Sequence, residues 1–279
     1  MHAADRAEAE RLIAEAHAAG SVGMEEREGE DGVILSIYAP AERMDAVRDA
    51  ITAALPGVRV EETEDVPGAD WSEQWKVGLG AIPISPRLLI RPSFIPAALP
   101  PGQAELVIDP GRAFGTGAHP STNLALDWID ELGPSLKRGT RVLDVGTGTG
   151  VLAMAAATLS DADVVALDLD PLATAVARAN TIANGLEAAV QLLTGALDAL
   201  RMVEFELVIA NLLPAELTPL LAGIATRVRP GGHAVLSGFL AEEAESIERS
   251  LRSAGLRRSG ERSLVDAHGD RWSALLTTR

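Results

Sequence analysis

Apolar and polar positions alternate in blocks along residues 102–279. Short apolar runs have the length of buried strands, and the stretches between them repeat apolar residues at helical spacing. Such alternation is typical of a mostly parallel sheet with helices on both faces, the doubly wound α/β fold. The predicted elements are a strand from Val142, helix 151–159, a strand ending at Asp168, helix 171–184, strands 190–193 and 206–210, helix 216–227, a turn at 230–232, strand 234–238, helix 242–254 and two terminal strands.

The pattern of residues 1–63 differs and predicts a small α+β domain. An amphipathic helix is expected over 3–19, closed by Gly20, and a second over 41–55. Short strands are expected at 21–27, 33–38 and 58–62. The order α-β-β-α-β is that of a ferredoxin-like module, a split βαβ unit, without its opening strand.

Residues 64–101 are rich in proline and glycine, which interrupt any long element. We expect this segment to be an irregular linker between the two domains, with short extended pieces such as 88–90. Trp71 and Trp75 lie in it, and we expect them to pack the linker onto one or both domains. A contact with substrate is the alternative for these two side chains.

Composition narrows the classes of function. Forty acidic and 24 basic residues give a net charge of −16, which opposes binding to nucleic acid and favours a basic protein partner, although solubility or a salt-adapted host would also explain it. The chain has no cysteine, and its five histidines form no pair at helical spacing, so we expect no metal site. It contains no signal-like N-terminus and no long apolar run, and we expect a soluble, cytoplasmic monomer.

A glycine turn follows the first strand of the second domain. The glycines are Gly146, Gly148 and Gly150, and the sixth place of the turn is Val151, whereas a dinucleotide motif has glycine at its first, third and sixth places. Asp168 follows Gly146 by 22 residues, the separation at which a carboxylate accepts hydrogen bonds from ribose hydroxyls. The spacing favours S-adenosylmethionine over NAD as the cofactor, although an isolated glycine turn can be only a turn.

Two further features fall at the same edge of the predicted sheet. Asn211 directly follows an apolar strand, where its amide would project over the cofactor; a local Asx turn is the alternative. Residues 109–122, DPGRAFGTGAHPST, form a glycine-rich loop that leads into a helix; the alternative is a spacer with incidental polar groups. The loop carries the candidate contacts Phe114, Thr116 and His119 and the candidate helix caps Ser121 and Thr122.

Over nearly its whole length the chain resembles the ribosomal protein L-eleven methyltransferase (PrmA) family, class I enzymes that use S-adenosylmethionine. The resemblance rests on DPGRAFGTGAHPST, VLDVGTGTGVLAMAA, ALDLDPLATAVARAN, VIANLLPAEL and RPGGHAVLSGFL, in this order, and on the connector DWSEQWKVGLGAIPISPRLLIRP. It implies a Rossmann-like catalytic domain over 102–279, preceded by a ferredoxin-like domain that presents the substrate. It places cofactor contacts at Thr122, Gly146, Asp168 and Asn211.

The resemblance also implies the reaction. The family methylates the terminal α-amine and lysine ε-amines of a ribosomal protein of the large subunit. We hypothesise direct attack by a neutral amine, with Asn211 and carbonyl groups of residues 114–119 accepting the amine hydrogens. A general-base role for His119 is the alternative, because an imidazole titrates near neutrality.

The sequence departs from the family at two places. The N-terminal domain begins at its first helix, so its opening strand is expected to be missing. Pro214 stands where the family more often has alanine, and we expect it to stiffen the loop over the acceptor site. Three other functions stay open: a lysine methyltransferase with a different protein target, a non-enzymatic sensor of the methyl donor, and an NAD-dependent oxidoreductase.

Overall fold

The computed structural model describes residues 2–3, 12, 16, 19–21, 23–29, 32–54, 80–109 and 117–279. The chain divides into two units, Met1–Gln74 and Trp75–Arg279. The predicted strand 58–62 and the residues Trp71, Trp75, Phe114 and Thr116, all named in the sequence predictions, lie outside the described residues.

The N-terminal unit contains an antiparallel sheet and a helix. Its strands are β1 (His2–Ala3), β2 (Gly23–Gly29) and β3 (Gly32–Tyr38), arranged in the order β1-β3-β2. A 3-10 turn at Ala41–Arg43 leads into α1 (Met44–Ala54). The apolar face of α1 is directed inward as its spacing predicts, because Val47 and Ile51 are buried. The small core comprises Leu12, Ala16, Leu35, Val47 and Ile51.

The prediction of a missing opening strand is wrong, because β1 occupies that place. His2 and Ala3 pair in antiparallel fashion with Ile34 and Val33 of β3. Ala3, which the pattern assigned to the first helix, is therefore part of a strand. Two residues are too few to show the alternation that predicts a strand, and only the pairing with β3 defines this one.

The second unit contains a seven-stranded, mostly parallel sheet. Its strands are β7 (Arg141–Val145), β8 (Asp163–Asp168), β9 (Val190–Thr194), β10 (Phe205–Asn211), β11 (Val228–Leu240), β12 (Arg257–Val265) and β13 (Arg271–Thr278). They lie in the order β12-β13-β11-β10-β7-β8-β9, and the pairs that β13 forms with β11 and β12 are antiparallel whereas the others are parallel. The order confirms the predicted doubly wound α/β architecture.

Helices cover this sheet on both faces. They are α2 (Pro120–Leu132), α3 (Val151–Leu159), α4 (Pro171–Ala183), α5 (Pro214–Arg227) and α6 (Ala244–Ala254). Helix α3 is apolar on all sides, with Ala153, Ala155 and Ala156 fully buried. A helix of this kind must be covered all round, and α3 contacts β7 and β8 as well as a second, smaller sheet.

The smaller sheet consists of β4 (Ile82–Ser85), β5 (Leu88–Arg91) and β6 (Ala104–Val107). Two of these strands lie in the segment that the sequence predicts to be an irregular linker. Leu88 and Ile90 are buried in the same core as α3, so this part of the linker belongs to the second unit. The extended piece predicted at 88–90 is confirmed as β5. The pattern missed β4 and the pairing into a sheet, because the strands are only four residues long and prolines lie in or beside them. The domain boundaries after residues 63 and 101 stay predictions.

The predicted elements of the second domain agree closely with the observed ones. Helix 151–159 is confirmed with the same ends, and the strand predicted to end at Asp168 does so. The predicted turn at 230–232 is instead included in β11, although Gly231 keeps the left-handed φ of 74° that a turn would use. In the described part of the chain, no helix has the length and apolar character needed to cross a membrane.

Candidate functional site

The carboxyl ends of three parallel strands bring the predicted site residues to one edge of the large sheet. The order of strands reverses between β7 and β10, because the chain passes from β7 outward through β8 and β9 and then returns to β10 on the other side of β7. Ligands of open α/β sheets bind at such a switch point. Gly146 follows β7, Asp168 ends β8 and Asn211 ends β10.

The glycine turn adopts a backbone that side chains disfavour. Gly146, Gly148 and Gly150 have φ angles of 73°, 55° and 84°, all in the left-handed region. The main-chain N–H of Gly146 donates to the carbonyl of Leu167 at 2.9 Å, so the turn is fixed to β8. Gly150 is the N-cap of α3 and offers no side-chain cap. Bare main chain and the N-terminus of a helix therefore meet at this turn, which favours an electronegative ligand group.

Asp168 is joined to the glycine turn by a hydrogen bond. Its Oδ2 accepts the N–H of Gly148 at 2.9 Å, and its Oδ1 accepts the N–H of Asp170 at 3.0 Å. Each carboxylate oxygen has a second lone pair, so the group can still accept hydrogen bonds from two hydroxyls. The next apolar side chains, Leu169 and Leu172, are 72% and 62% exposed and provide apolar surface at the site.

The amide nitrogen of Asn211 is hydrogen-bonded, whereas its amide oxygen has no partner. Its Nδ2 donates to Oγ1 of Thr122 at 3.2 Å, so the side chain contacts α2 rather than making the local Asx turn considered above. Its Oδ1 is buried and has no hydrogen-bond partner. A buried acceptor without a partner is costly, and it indicates a place where a ligand donates a hydrogen bond.

His119, and not Ser121 or Thr122, is the N-cap of α2. Its Nδ1 accepts the main-chain N–H of Ser121 at 3.2 Å and lies 2.8 Å from the hydroxyl of the same residue. The ring packs edge-on against Trp272, with 4.4 Å between ring centroids. Burial lowers the pKa of His119, and the charge of Asp266 opposes this shift only in part. The imidazole is therefore neutral near pH 7, and its Nδ1 is already occupied by the cap.

Asn180 belongs to the site and was missed by the sequence analysis. Its Oδ1 accepts the N–H of Asp109 at 3.1 Å, and its Nδ2 donates to the carbonyl of Thr149 at 3.0 Å. It thus links the segment that enters the 109–122 loop to the glycine turn. Asn184, one helical turn later, bonds both main-chain groups of Val107. Two asparagines four residues apart, Asn180 in α4 and Asn184 as its C-cap, were the available signal.

Comparison with known proteins identifies the family. Residues 5–275 match the sequence model of the family described as "Ribosomal protein L11 methyltransferase (PrmA)". The chain belongs to this family. Membership makes it a methyltransferase with a Rossmann-like catalytic domain, as the resemblance implied.

Individual relatives support the assignment to the L11 methyltransferase family. The chain is 36% identical over 236 residues to a ribosomal protein L11 methyltransferase of Symbiobacterium thermophilum, covering 85% of this chain and 73% of that protein. It is 32% identical to one of an Exiguobacterium species, covering 97% and 88%. The crystal structure of a ribosomal protein L11 methylase from Lactobacillus delbrueckii subsp. bulgaricus is similar with a TM-score of 0.61 and 28% identity, over 72% of this chain and 98% of that one.

Pro214, one of the departures from the L11 methyltransferase family, occupies the first position of α5 with Leu213 as the N-cap. The fixed φ of proline suits this position, and its missing N–H removes no helical hydrogen bond. The helix accordingly begins two residues earlier than the predicted start at Glu216. Pro214 therefore starts a helix and is not a constraint in the middle of a loop.

Asp144, in the strand that precedes the glycine turn, is a fully buried acid. Its Oδ2 accepts a hydrogen bond from the hydroxyl of Thr147 at 2.6 Å, which stabilises the glycine turn. Burial raises its pKa from 3.8 to about 7; hydrogen bonds from Thr147 and from the main chain of Ala153 offset part of the shift, and the charge of Asp168 adds to it.

Among the described residues, no group of three or more His, Asp or Glu side chains could hold a metal ion.

The raised pKa of Asp144 predicts a pH-dependent stability. The folded state binds the proton of Asp144 more tightly than the unfolded state does. The proton's contribution to the free energy of unfolding is therefore complete below pH 3.8 and is lost as pH rises to about 7. Asp144→Asn keeps an acceptor for the hydroxyl of Thr147 but does not titrate. We expect its free energy of unfolding to rise by up to about 4 kcal/mol relative to that of the wild type across this interval. Urea unfolding of both proteins from acid to neutral pH measures the difference, and a difference that does not vary with pH would contradict the assignment.

Proposed function

We propose that the protein transfers methyl groups from S-adenosylmethionine to amino groups of a ribosomal protein of the large subunit, ribosomal protein L11 in the family's name. The acceptors are lysine ε-amines, the N-terminal α-amine, or both. The unpaired, buried Oδ1 of Asn211 at the switch point is the observation that carries the proposal. It provides a hydrogen-bond acceptor where the glycine turn and Asp168 provide a place for the cofactor.

The residues present fit S-adenosylmethionine. The glycine turn and the uncapped N-terminus of α3 suit the electronegative carboxylate of its amino acid part, and the free lone pairs of Asp168 suit the ribose hydroxyls. Thr122 and Asn211 complete the proposed contacts, with Phe114 and Thr116 added from the sequence. When bound, the cofactor supplies a methyl group activated by a sulfonium ion.

Asn211 would orient the acceptor amine. A lysine amine has a pKa near 10.4, so presenting it in the neutral form at pH 7.5 costs about 4 kcal/mol unless the site lowers that value. Desolvation beside a cation lowers it. Oδ1 of Asn211 can accept one N–H of the neutral amine, while the bond from Nδ2 to Thr122 keeps the amide from rotating. Alignment of this kind is a large source of rate in two-substrate reactions.

We assign substrate presentation to residues 1–63, a connecting role to 64–101 and catalysis to 102–279. The net charge of −16 favours a basic partner such as a ribosomal protein. A lysine methyltransferase with another protein target is the alternative, because the catalytic edge does not select the protein that docks. We further propose that the protein acts as a monomer in the cytoplasm.

Incubation with unmodified ribosomal protein L11 and methyl-labelled cofactor, followed by peptide mass mapping, tests the proposal. We expect methyl groups on lysine or N-terminal amines, and Asn211→Ala to lower the rate by about 100-fold, because the amine loses its acceptor. Labelling of a different protein in a cell lysate would favour the alternative target. Cofactor binding without transfer to any protein would favour a sensor, and stabilisation by NAD alone would contradict a methyltransferase.

The assignment of Asp168 to the ribose gives a separate prediction. We expect Asp168→Ala to weaken binding of S-adenosylmethionine by about 1–3 kcal/mol, since charged hydrogen bonds are lost. Asp170→Ala is the matched control, because Asp170 accepts the N–H of Leu172 as the N-cap of α4 and has no proposed ligand contact. Calorimetric titration measures both. Equal dissociation constants for wild type and Asp168→Ala would place the ribose elsewhere.

The variant His119→Asn distinguishes a role of His119 as the helix cap from a role as the general base. Asparagine caps helices well but has no proton to exchange near neutrality. Because Nδ1 already serves as the cap, we expect this variant to keep its methylation rate within about threefold between pH 6.5 and 9. His119→Ala should lose about 1 kcal/mol of stability with the cap. A loss of rate by two orders of magnitude in His119→Asn, with an altered pH profile, would instead support general-base catalysis.

A further inference from the structure

Ser237 lies beside Asn211 in the large sheet and is fully buried. The parallel register of β10 and β11 places the two residues opposite each other. The hydroxyl of Ser237 donates to the carbonyl of Ser121 in the first turn of α2 at 2.9 Å. The residue after Ser121 is Thr122, which holds the amide of Asn211. Ser237 therefore contacts the helix end that supports Asn211.

The main chain of the same residue contacts the other support of Asn211. The N–H of Leu212, directly after Asn211, donates to the carbonyl of Ser237 at 3.0 Å. At Gly238 the two chains come so close that a Cβ would lie 2.3 Å from the carbonyl oxygen of Leu212, and φ is 100°. Only glycine permits this approach. Segment 237–238 thus fixes the turn that follows Asn211.

The bond between Asn211 and Thr122 joins two elements that are 89 residues apart in sequence. Its geometry depends on how the start of α2 is placed against the end of β10. Ser237 hydrogen-bonds both, through its side chain and its main chain respectively. Loss of the hydroxyl would free the helix end to move relative to Asn211, and small misplacements of a positioning group have large effects on rate.

The hydroxyl of Ser237 interrupts an apolar stretch of β11. The residues before it in β11, Ala234, Val235 and Leu236, are apolar and fully buried. An apolar side chain of similar size would avoid the cost of burying a hydroxyl. A second acceptor, the carbonyl of Ser273, is farther away at 3.4 Å, so the bond to Ser121 is the principal one.

We propose that Ser237 is a positioning residue for amine methylation, which acts by holding the start of α2, and with it Thr122, in place against Asn211. The inference rests on the proposed role of Asn211 as the acceptor of the amine hydrogen. Ser237 touches neither amine nor cofactor in this scheme. Its removal changes the orientation of the Asn211 amide and leaves binding of both substrates intact.

Thr277 provides a matched control for the hydroxyl. It is also fully buried in the large sheet, and its Oγ1 donates to a main-chain carbonyl of β11, that of Ala234, at 3.2 Å. Ala234 lies three residues before Ser237, toward the opposite end of the strand from the site. Ser237→Ala and Thr277→Val each remove one buried hydrogen bond, so a general loss of stability should affect them alike.

Kinetics distinguish positioning from stability. We expect Ser237→Ala to lower kcat about tenfold, with KM for the protein substrate and the dissociation constant of the methyl donor within about twofold of wild type. Thr277→Val should keep kcat. In a Thr122→Val background, where the bond to Asn211 is already broken, Ser237→Ala should have no further effect on kcat. A normal kcat in Ser237→Ala, or a full additional loss in the double variant, would overturn the proposal.

A second measurement needs no activity. The NMR resonance of the Asn211 side-chain amide reports the environment of this group directly. It can be assigned because it is missing from the spectrum of Asn211→Asp. We expect it to shift in Ser237→Ala and to stay in place in Thr277→Val. An unmoved resonance in Ser237→Ala would overturn the positioning role even if methylation is confirmed. If the wild type methylates no protein while the resonance moves as expected, the proposed function fails and the structural control of Asn211 by Ser237 stands.

Discussion

The contact between Gly146 and Leu212 is the constraint on which the site depends. Gly146 has a left-handed φ, and a Cβ at this position would lie 2.4 Å from Cδ2 of Leu212. The conformation of the turn therefore favours glycine, and any other residue would also displace the end of the Leu212 side chain. Because Leu212 directly follows Asn211, the turn that would hold the methyl donor packs against the chain neighbour of the residue that would hold the acceptor.

Hydrogen bonds from buried polar side chains stabilise this arrangement. Asp144 supports the glycine turn through Thr147, Asn180 joins Thr149 to the start of the 109–122 loop, and Ser237 ties α2 to β11. Each contributes hydrogen bonds to main-chain or side-chain groups that a purely apolar core would leave unpaired. The edge of the sheet where we place the chemistry is thus built from loops, and the buried polar groups compensate for the regular hydrogen bonding that loops lack.

The sequence predicted what is encoded locally. The glycine turn and helix α3 have a strong local pattern, and their ends are as predicted. The strand β5 was predicted as a short extended piece, whereas β4 was hidden by its prolines and β1 is too short to have a pattern. The cap of α2 was assigned to the commoner residues Ser121 or Thr122, whereas the packing of His119 against Trp272 favours the imidazole. The contacts of Asn180 and Ser237 join elements distant in sequence; the spacing of Asn180 and Asn184 was the one local signal, and Ser237 had none.

An amide at position 211 suits the charge balance that the proposed methylation of an amine would require. A carboxylate here would also accept a hydrogen bond from the amine, but its charge would stabilise the ammonium form and raise the pKa of the acceptor. The reacting form must be neutral, and an amide oxygen orients it without that penalty. Asp168 fits the same logic, because its carboxylate is bonded to the glycine turn, on the side proposed for the ribose. Its negative charge is engaged by the main-chain N–H groups of Gly148 and Asp170.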